Sequence, residues 1–205
     1  MPDVADNQTV GGVLILPGGK PHSAAPSRSW QLANLRMMWL ARSLRRNLGG
    51  RIAVRRVQYR LRGWNTPTLD ALRDAENALS RMRTDLDLNP SNLVLVGHSM
   101  GARVAVHLAP QDVGGIVALA PWWPGDDADL VPAHCRLLTV HGTADTWTDP
   151  RSSEAQTRRA RERGVDAHWV GIPDAGHYLL RDARLWHRLT SDFVATRLQV
   201  GTLDG

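Results

Sequence analysis

Residues 96–106 read VGHSMGARVAV and place one serine, Ser99, between two glycines, Gly97 and Gly101. An apolar run precedes Ser99 and a segment with helical spacing follows it, which predicts a sharp strand-to-helix turn. Glycine is expected at both positions because a Cβ there would collide with the neighbouring strand and helix. The turn would place Ser99 at the carboxyl edge of a sheet, either as an exposed nucleophile or as the cap of the helix.

Short apolar runs rich in Val, Leu and Ile alternate with longer segments of helical spacing. The runs predict buried strands at residues 10–16, 52–59, 92–97, 115–120, 136–141 and 166–172. The longer segments predict helices at residues 30–47, 68–86, 100–109, 150–163 and 183–198. This alternation predicts an α/β fold, a three-layer α/β/α sandwich around a mostly parallel sheet of about six strands. Ligands bind such sheets beyond the carboxyl ends of the strands.

Length and composition indicate a single globular domain, residues 1–205, that is soluble and has no integral membrane association. The 205 residues suffice for one sizeable core, and no apolar run approaches the roughly 18 residues of a membrane span. The formal charge of +5 is almost entirely arginine, because Lys20 is the only lysine. The arginines are spread along the chain without a basic stripe, so nucleic-acid binding is not expected.

The N-terminus and the cysteine content predict a cytoplasmic protein. Residues 1–6, MPDVAD, contain neither the basic nor the apolar region of a secretory signal. The single cysteine, Cys135, excludes an intramolecular disulfide and a cysteine metal cluster. Both features suit a reducing compartment.

A serine nucleophile needs a histidine base, and His177 is the best placed of the eight histidines. The stretch PDAGHYLL puts His177 in a loop after the last predicted strand, at a carboxyl edge. His98 and His107 are expected to be structural, and His141 is expected to shape the loop that carries the acid. The remaining candidates without a predicted role include His134, His168 and His187.

The base needs an acid to orient it, and Asp145 follows the predicted strand 136–141 within the stretch LLTVHGTADTWTDP. Asp149 is the alternative, although Asp149-Pro150 has the pattern of a helix cap followed by a first-turn proline. Asp174 shares the loop of His177 and remains an outside candidate.

The chain order Ser99, Asp145, His177 resembles the α/β-hydrolase superfamily, and the resemblance extends from about residue 10 to the last helix. It implies that Ser99 is the nucleophile, His177 the base and Asp145 the orienting acid. It also implies an oxyanion hole in which the Met100 N–H is one donor. The second donor would come from the loop PGGK at residues 17–20, with Gly19 favoured over Lys20. No metal or organic cofactor is required.

The resemblance further implies a minimal, capless member that lacks the first two strands of its relatives. Only residues 121–133 occupy the position of the usual helical lid, which would leave the site open. Trp122 and Trp147 are candidate substrate-binding residues, and Trp123 lies beside them; packing is an equally good interpretation of tryptophans in such loops.

These features predict a serine-dependent carboxylic ester hydrolase that forms an acyl-enzyme on Ser99 and acts on a small-molecule ester or thioester. One alternative is a thioesterase acting on acyl groups bound to an acyl-carrier protein, which a basic surface could meet. A different alternative is a non-catalytic ligand-binding module on the same fold.

Overall fold

The structure of the protein is a computed structural model in which residues 9–178 and 180–201 are described. The stretch interpreted as lacking a secretory signal, residues 1–6, lies outside the described residues. In the described part of the chain, strands and helices alternate as β1 (Gly11–Leu16), α1 (Leu32–Leu48), β2 (Ile52–Arg56), α2 (Asp70–Leu86), β3 (Leu93–His98), α3 (Met100–Leu108), β4 (Gly115–Leu119), β5 (Arg136–Gly142), α4 (Pro150–Glu162), β6 (Ala167–Ile172) and α5 (Ala183–Leu198).

The six strands form one sheet in the order β2-β1-β3-β4-β5-β6, and every neighbouring pair is parallel. The chain runs from β1 outward to β2 and then returns to the other side of β1 to form β3. Because the direction of winding reverses between β1 and β3, the loops that follow these two strands diverge and leave a crevice at the carboxyl edge. Ser99 follows β3 directly and therefore lies at this crevice.

Helices cover both faces of the sheet because the side chains of each central strand alternate between two apolar cores. On β1, Leu14 and Leu16 pack with residues of α2 and α3, whereas Val13 and Ile15 pack with residues of α1 and α5. This two-sided burial confirms the predicted three-layer sandwich. No helix within the described ranges is long and apolar enough to cross a membrane.

The main departure from the predicted elements concerns the second strand, which ends at Arg56 rather than at residue 59. Beyond β2 the backbone pairs with the loop before α1 instead: the Lys20 N–H donates to the Arg62 carbonyl and the Ser27 N–H donates to the Arg60 carbonyl. This pairing gives isolated bridges at Leu61 and Gly63. The strand itself ends early because β1, whose Ile15 carbonyl accepts from the Val57 N–H, stops at Leu16 and offers residues 58 and 59 no further partner. The helix that follows begins at Asp70, two residues after the predicted start.

Candidate active site

Ser99 lies in a strained turn between β3 and α3. Its backbone has φ 56° and ψ −118°, a region that residues other than glycine rarely adopt. The flanking glycines make the turn possible: a Cβ on Gly97 would overlap the Gly101 backbone, and a Cβ on Gly101 would overlap the Leu16 carbonyl oxygen of β1. The steric reason expected for the two glycines is thus confirmed, and Ser99 is held where its side chain projects from the edge of the sheet.

The structure brings the side chains of Ser99, His177 and Asp145 into a hydrogen-bonded chain. The Ser99 Oγ lies 3.0 Å from His177 Nε2, and His177 Nδ1 lies 2.8 Å from Asp145 Oδ2. The carboxylate of Asp145 is completely buried, and the imidazole of His177 is almost so. If Nδ1 carries the proton and donates it to Asp145, Nε2 is free to accept the serine proton, so this arrangement can generate a nucleophilic oxygen.

The Asp145 carboxylate is held in its ionised form by a dense set of donors. Its Oδ1 accepts hydrogen bonds from the backbone N–H groups of Trp147 (2.8 Å) and Thr148 (3.0 Å). Its Oδ2 accepts from the Thr148 hydroxyl at 2.9 Å and from His141 Nε2 at 3.1 Å, in addition to His177. Burial alone would raise the pKa of Asp145, but these hydrogen bonds outweigh burial and hold the pKa well below its usual range.

The two other candidate acids form no hydrogen bond with His177 and have separate structural settings. The Asp149 side chain accepts a hydrogen bond from the Arg151 N–H at the start of α4, as expected for a helix cap. The Asp174 carboxylate is largely exposed and lies 3.6 Å from the Arg181 guanidinium. Only Asp145 among the three therefore touches the imidazole.

His141 and Thr148 lie next to the hydrogen-bonded chain of Ser99, His177 and Asp145. The sequence analysis gives Thr148 no role and expects only that His141 shapes the loop of the acid. The His141 imidazole is fully buried and bridges Asp145 to the Ser153 hydroxyl, which lies 2.8 Å from its Nδ1. Besides bonding Asp145, the Thr148 hydroxyl lies 3.2 Å from His177 Nδ1. The signal for both was their closeness in sequence to Asp145, but only the fold shows that they converge on its carboxylate.

His98 supports the loop of His177 from inside the protein. Its Nε2 lies 2.9 Å from the His177 carbonyl oxygen, so the Nε2–H donates to that oxygen, and the two imidazole centroids are 4.9 Å apart. Burial and the neighbouring His177 and Arg36 lower the pKa of His98 to about 3, despite opposing contributions from the hydrogen bond and from Asp145. His98 thus has the structural role that the sequence predicts.

This buried histidine is expected to make the fold sensitive to acid. The unfolded chain takes up the His98 proton near pH 6.5, whereas the folded chain takes it up only near pH 3, so stability falls with pH across this window. Between pH 7 and pH 5 the parent should lose about 2 kcal/mol more unfolding free energy than His98→Gln. Urea unfolding of both proteins at the two pH values measures this difference. Equal losses would show that His98 does not set the acid sensitivity.

The loop after β1 lies against the serine turn. A Cβ on Gly18 would be 3.4 Å from the Ser99 Cβ, and a Cβ on Gly19 would be 2.5 Å from the Met100 Sδ. The Lys20 N–H is already engaged, since it donates to the Arg62 carbonyl at 2.8 Å. Met100 is the first residue of α3, where backbone N–H groups have no intrahelical acceptor. The glycine loop therefore lies against Ser99 and the Met100 side chain.

The three candidate tryptophans differ in their surroundings. Trp147 is 70% exposed and its ring is stacked near the His177 imidazole, with centroids 6.3 Å apart. Trp122 is half-buried, and its ring packs against the Arg103 guanidinium. Trp123 is buried in the core. All three tryptophans line a cleft of about 250 Å³, whose lining does not include Ser99, His177 or Asp145. A larger depression along α5 is lined by none of these residues.

Solved structures of hydrolases share this architecture. A serine hydrolase without a lid from Xanthomonas campestris, XC6422, superposes with a TM-score of 0.68 at 20% identity and covers 96% of this chain and 85% of its own. SOBER1 from Arabidopsis thaliana gives 0.67 at 17% identity, covering 92% and 99%. An acetyl ester-xyloside bifunctional hydrolase from Caldicellulosiruptor lactoaceticus gives 0.70 at 15% identity, covering 95% and 85%. At these identities the likeness shows a shared fold.

The sequence itself gives a family match. No curated protein sequence is significantly similar to the chain. The model of the alpha/beta hydrolase family, however, matches residues 13–136, which is more than half of the chain and includes the β1 loop and the serine turn. Together with the all-parallel sheet and the turn at Ser99, this match shows that the chain belongs to the alpha/beta hydrolase family.

Proposed function

We propose that the protein is a serine hydrolase that cleaves carboxylic esters of small molecules. The observation that carries this proposal is the hydrogen-bonded chain from the Ser99 hydroxyl through His177 to the buried Asp145 carboxylate. A hydroxyl alone is a poor nucleophile near neutral pH, and a buried base with an ionised partner is what this chemistry requires. The fold positions the three groups at the edge of the sheet where ligands bind.

In the first half of the proposed reaction, Ser99 Oγ attacks the ester carbonyl carbon while its proton moves to His177 Nε2. The negative charge of Asp145 stabilises the resulting imidazolium. The carbonyl oxygen becomes an oxyanion, which accepts hydrogen bonds from the Met100 N–H and the Gly19 N–H. Gly19 is preferred to Lys20 because the Lys20 N–H is engaged with Arg62.

The oxyanion then collapses, the bond to the leaving alcohol breaks, and His177 returns the proton to the alcohol oxygen. The acyl group is now esterified to Ser99. Water enters, gives a proton to His177 Nε2 and attacks the acyl carbon, and a second collapse releases the carboxylic acid and restores the Ser99 hydroxyl. Every proton transfer passes through the same imidazole nitrogen, which is the one that faces Ser99.

The cleft lined by Trp122 and Trp147, with the Trp122 N–H donating to the Ser99 carbonyl, supports a short acyl or alcohol group in the substrate. Its volume of about 250 Å³ lies below the roughly 300 to 1,000 Å³ of pockets that hold drug-sized ligands. The Caldicellulosiruptor relative is named for an acetyl ester, which is a short acyl group. Both Trp122 and Trp147 would offer apolar surface to such a group, with Trp147 directly beside the base.

The proposal predicts that 4-nitrophenyl esters are turned over with a preference for short acyl chains, and that a fluorophosphonate probe labels Ser99. The measurement is kcat/KM across esters from acetate to decanoate, repeated with the acetyl thioester. Faster turnover of the thioester would favour the thioesterase alternative. A folded protein that neither turns over these substrates nor reacts with the probe would instead be a binding module.

A further inference from the structure

Arg36, in the second turn of α1, holds a positive charge in an unusual setting. Its guanidinium carbon lies 4.8 Å from the centroid of the Tyr178 ring, and its Nε is buried without a hydrogen-bond partner. Across residues 9–178 and 180–201, no carboxylate forms an ion pair with this guanidinium. Burial lowers the pKa of Arg36 because water is partly excluded. The guanidinium is only partly buried, so its remaining N–H groups are accessible to a ligand.

Arg103 is a comparable guanidinium, and it has both aromatic contacts and a carboxylate partner. The Arg103 guanidinium also packs on aromatic rings, those of Trp64 and Trp122, at 4.7 and 4.8 Å from their centroids. In addition, its Nε donates to the buried Asp127 carboxylate at 2.7 Å. Arg36 has the aromatic contact, but no carboxylate of the described residues pairs with it. An anionic group of a bound ligand can therefore pair with the partly exposed Arg36 guanidinium as Asp127 pairs with Arg103.

The position of Arg36 near the base indicates that the substrate could supply this anionic group. The Tyr178 ring, on which the guanidinium packs, belongs to the residue after His177, and its centroid is 5.7 Å from the His177 imidazole. The positive charge of Arg36 also helps to lower the pKa of His98, whose imidazole centroid is 4.9 Å from that of His177. The Tyr178 ring also lies 5.8 Å from the exposed ring of Trp147. The Arg36 guanidinium and the His177 imidazole thus lie beside the same Tyr178 ring.

We propose that Arg36 binds a carboxylate of the substrate, so that the preferred ester carries an anionic group as well as a small apolar part. This inference rests on the proposed function and adds the chemical class of the substrate. A guanidinium suits the task because its planar N–H groups match the two oxygens of a carboxylate. The ester carbonyl would lie at Ser99 while the anionic end of the same molecule reaches Arg36.

The test compares anionic and neutral esters of matched shape. One pair, 4-nitrophenyl hydrogen adipate and 4-nitrophenyl hexanoate, carries the charge on the acyl side; the other, 4-acetoxybenzoate and 4-methylphenyl acetate, carries it on the alcohol side. The parent should prefer the anionic member of at least one pair in kcat/KM. Arg36→Gln should lower that preference roughly 10- to 100-fold, and Arg36→Lys, which keeps the charge, should retain part of it.

Arg42→Gln is the matched control, because Arg42 is exposed on the same helix. It should leave the preference at the level of the parent. The proposal is overturned if the parent does not discriminate, if Arg36→Gln keeps the preference, or if Arg42→Gln removes it equally, which would indicate only the general charge of the surface. Because the readout is a ratio of two esters, a uniform loss of activity caused by a shifted Tyr178 does not imitate the expected result.

If the parent turns over no ester, the proposed function fails, and ligand binding decides the role of Arg36. Tryptophan fluorescence of Ser99→Ala would be titrated with monomethyl adipate, an anion, and with its neutral counterpart dimethyl adipate. The anion should bind roughly tenfold more tightly, and the added Arg36→Gln substitution should remove the difference. Equal affinities in Ser99→Ala would overturn the role of Arg36.

Discussion

Replacement of Ser99 by alanine is expected to lower kcat for a short-chain 4-nitrophenyl ester by about 10⁴-fold or more. The substitution removes the oxygen that would form the acyl-enzyme and leaves the bond between His177 and Asp145 in place. Residual turnover should come only from water held near the oxyanion donors. Steady-state kinetics, with fluorophosphonate labelling as a second readout, measure the loss. Activity within a few-fold of the parent would remove Ser99 from the mechanism.

The stability of two variants at this position separates loss of chemistry from loss of folding. Ser99→Ala loses one partly exposed hydrogen bond to His177, so its unfolding free energy should change by less than about 1.5 kcal/mol. Ser99→Gly should be as inactive but more stable than Ser99→Ala, because φ 56° with ψ −118° strains any residue with a Cβ. Urea unfolding of both variants measures the difference. A glycine variant less stable than the alanine variant would contradict the presence of strain.

The sequence predicts the fold well because local pattern and global architecture agree in this chain. The apolar runs along β1 and β3 are buried on both sides, as central parallel strands must be, so composition alone locates them. The positions of Ser99, Asp145 and His177 follow from the same logic. Each comes after a strand, and the carboxyl ends of parallel strands lie along one edge. The predicted second strand is longer than β2 because its neighbour β1 ends at Leu16, so the pairing between the two strands stops after Val57.

The contacts that refine the site could not be predicted from spacing. His141 has the pattern of a buried strand residue, and nothing in its neighbourhood shows that its Nε2 meets the same carboxylate oxygen as His177. Arg36 lies on a helix distant in sequence from Tyr178, and only the fold shows that no carboxylate within residues 9–178 and 180–201 pairs with it. Such features depend on rotamers and on packing between distant elements, which a periodicity does not encode.

Asp145→Asn is expected to lower kcat/KM for esters by about 10³- to 10⁴-fold, because it changes which nitrogen of His177 carries the proton. In the parent, Asp145 Oδ2 accepts from His177 Nδ1 and thereby leaves Nε2 free to take the serine proton. The asparagine oxygen would be held by the backbone N–H groups of Trp147 and Thr148, which turns its amide N–H₂ toward the imidazole. Nδ1 would then have to accept, and a proton on Nε2 blocks transfer from Ser99.

The matched control is Asp149→Asn, the alternative acid of the sequence analysis. Asp149 caps α4 and does not touch His177, so this variant should lose at most about 1 kcal/mol of stability and keep activity of the same order as the parent. Asp145→Asn should also be destabilised at neutral pH, because the lowered pKa of Asp145 means that its ionised form stabilises the fold above the usual pKa of a carboxyl group. Activity is therefore compared at a temperature where circular dichroism shows all proteins folded. A folded Asp145→Asn with nearly parental activity, or an equal loss in Asp149→Asn, would reject Asp145 as the orienting acid.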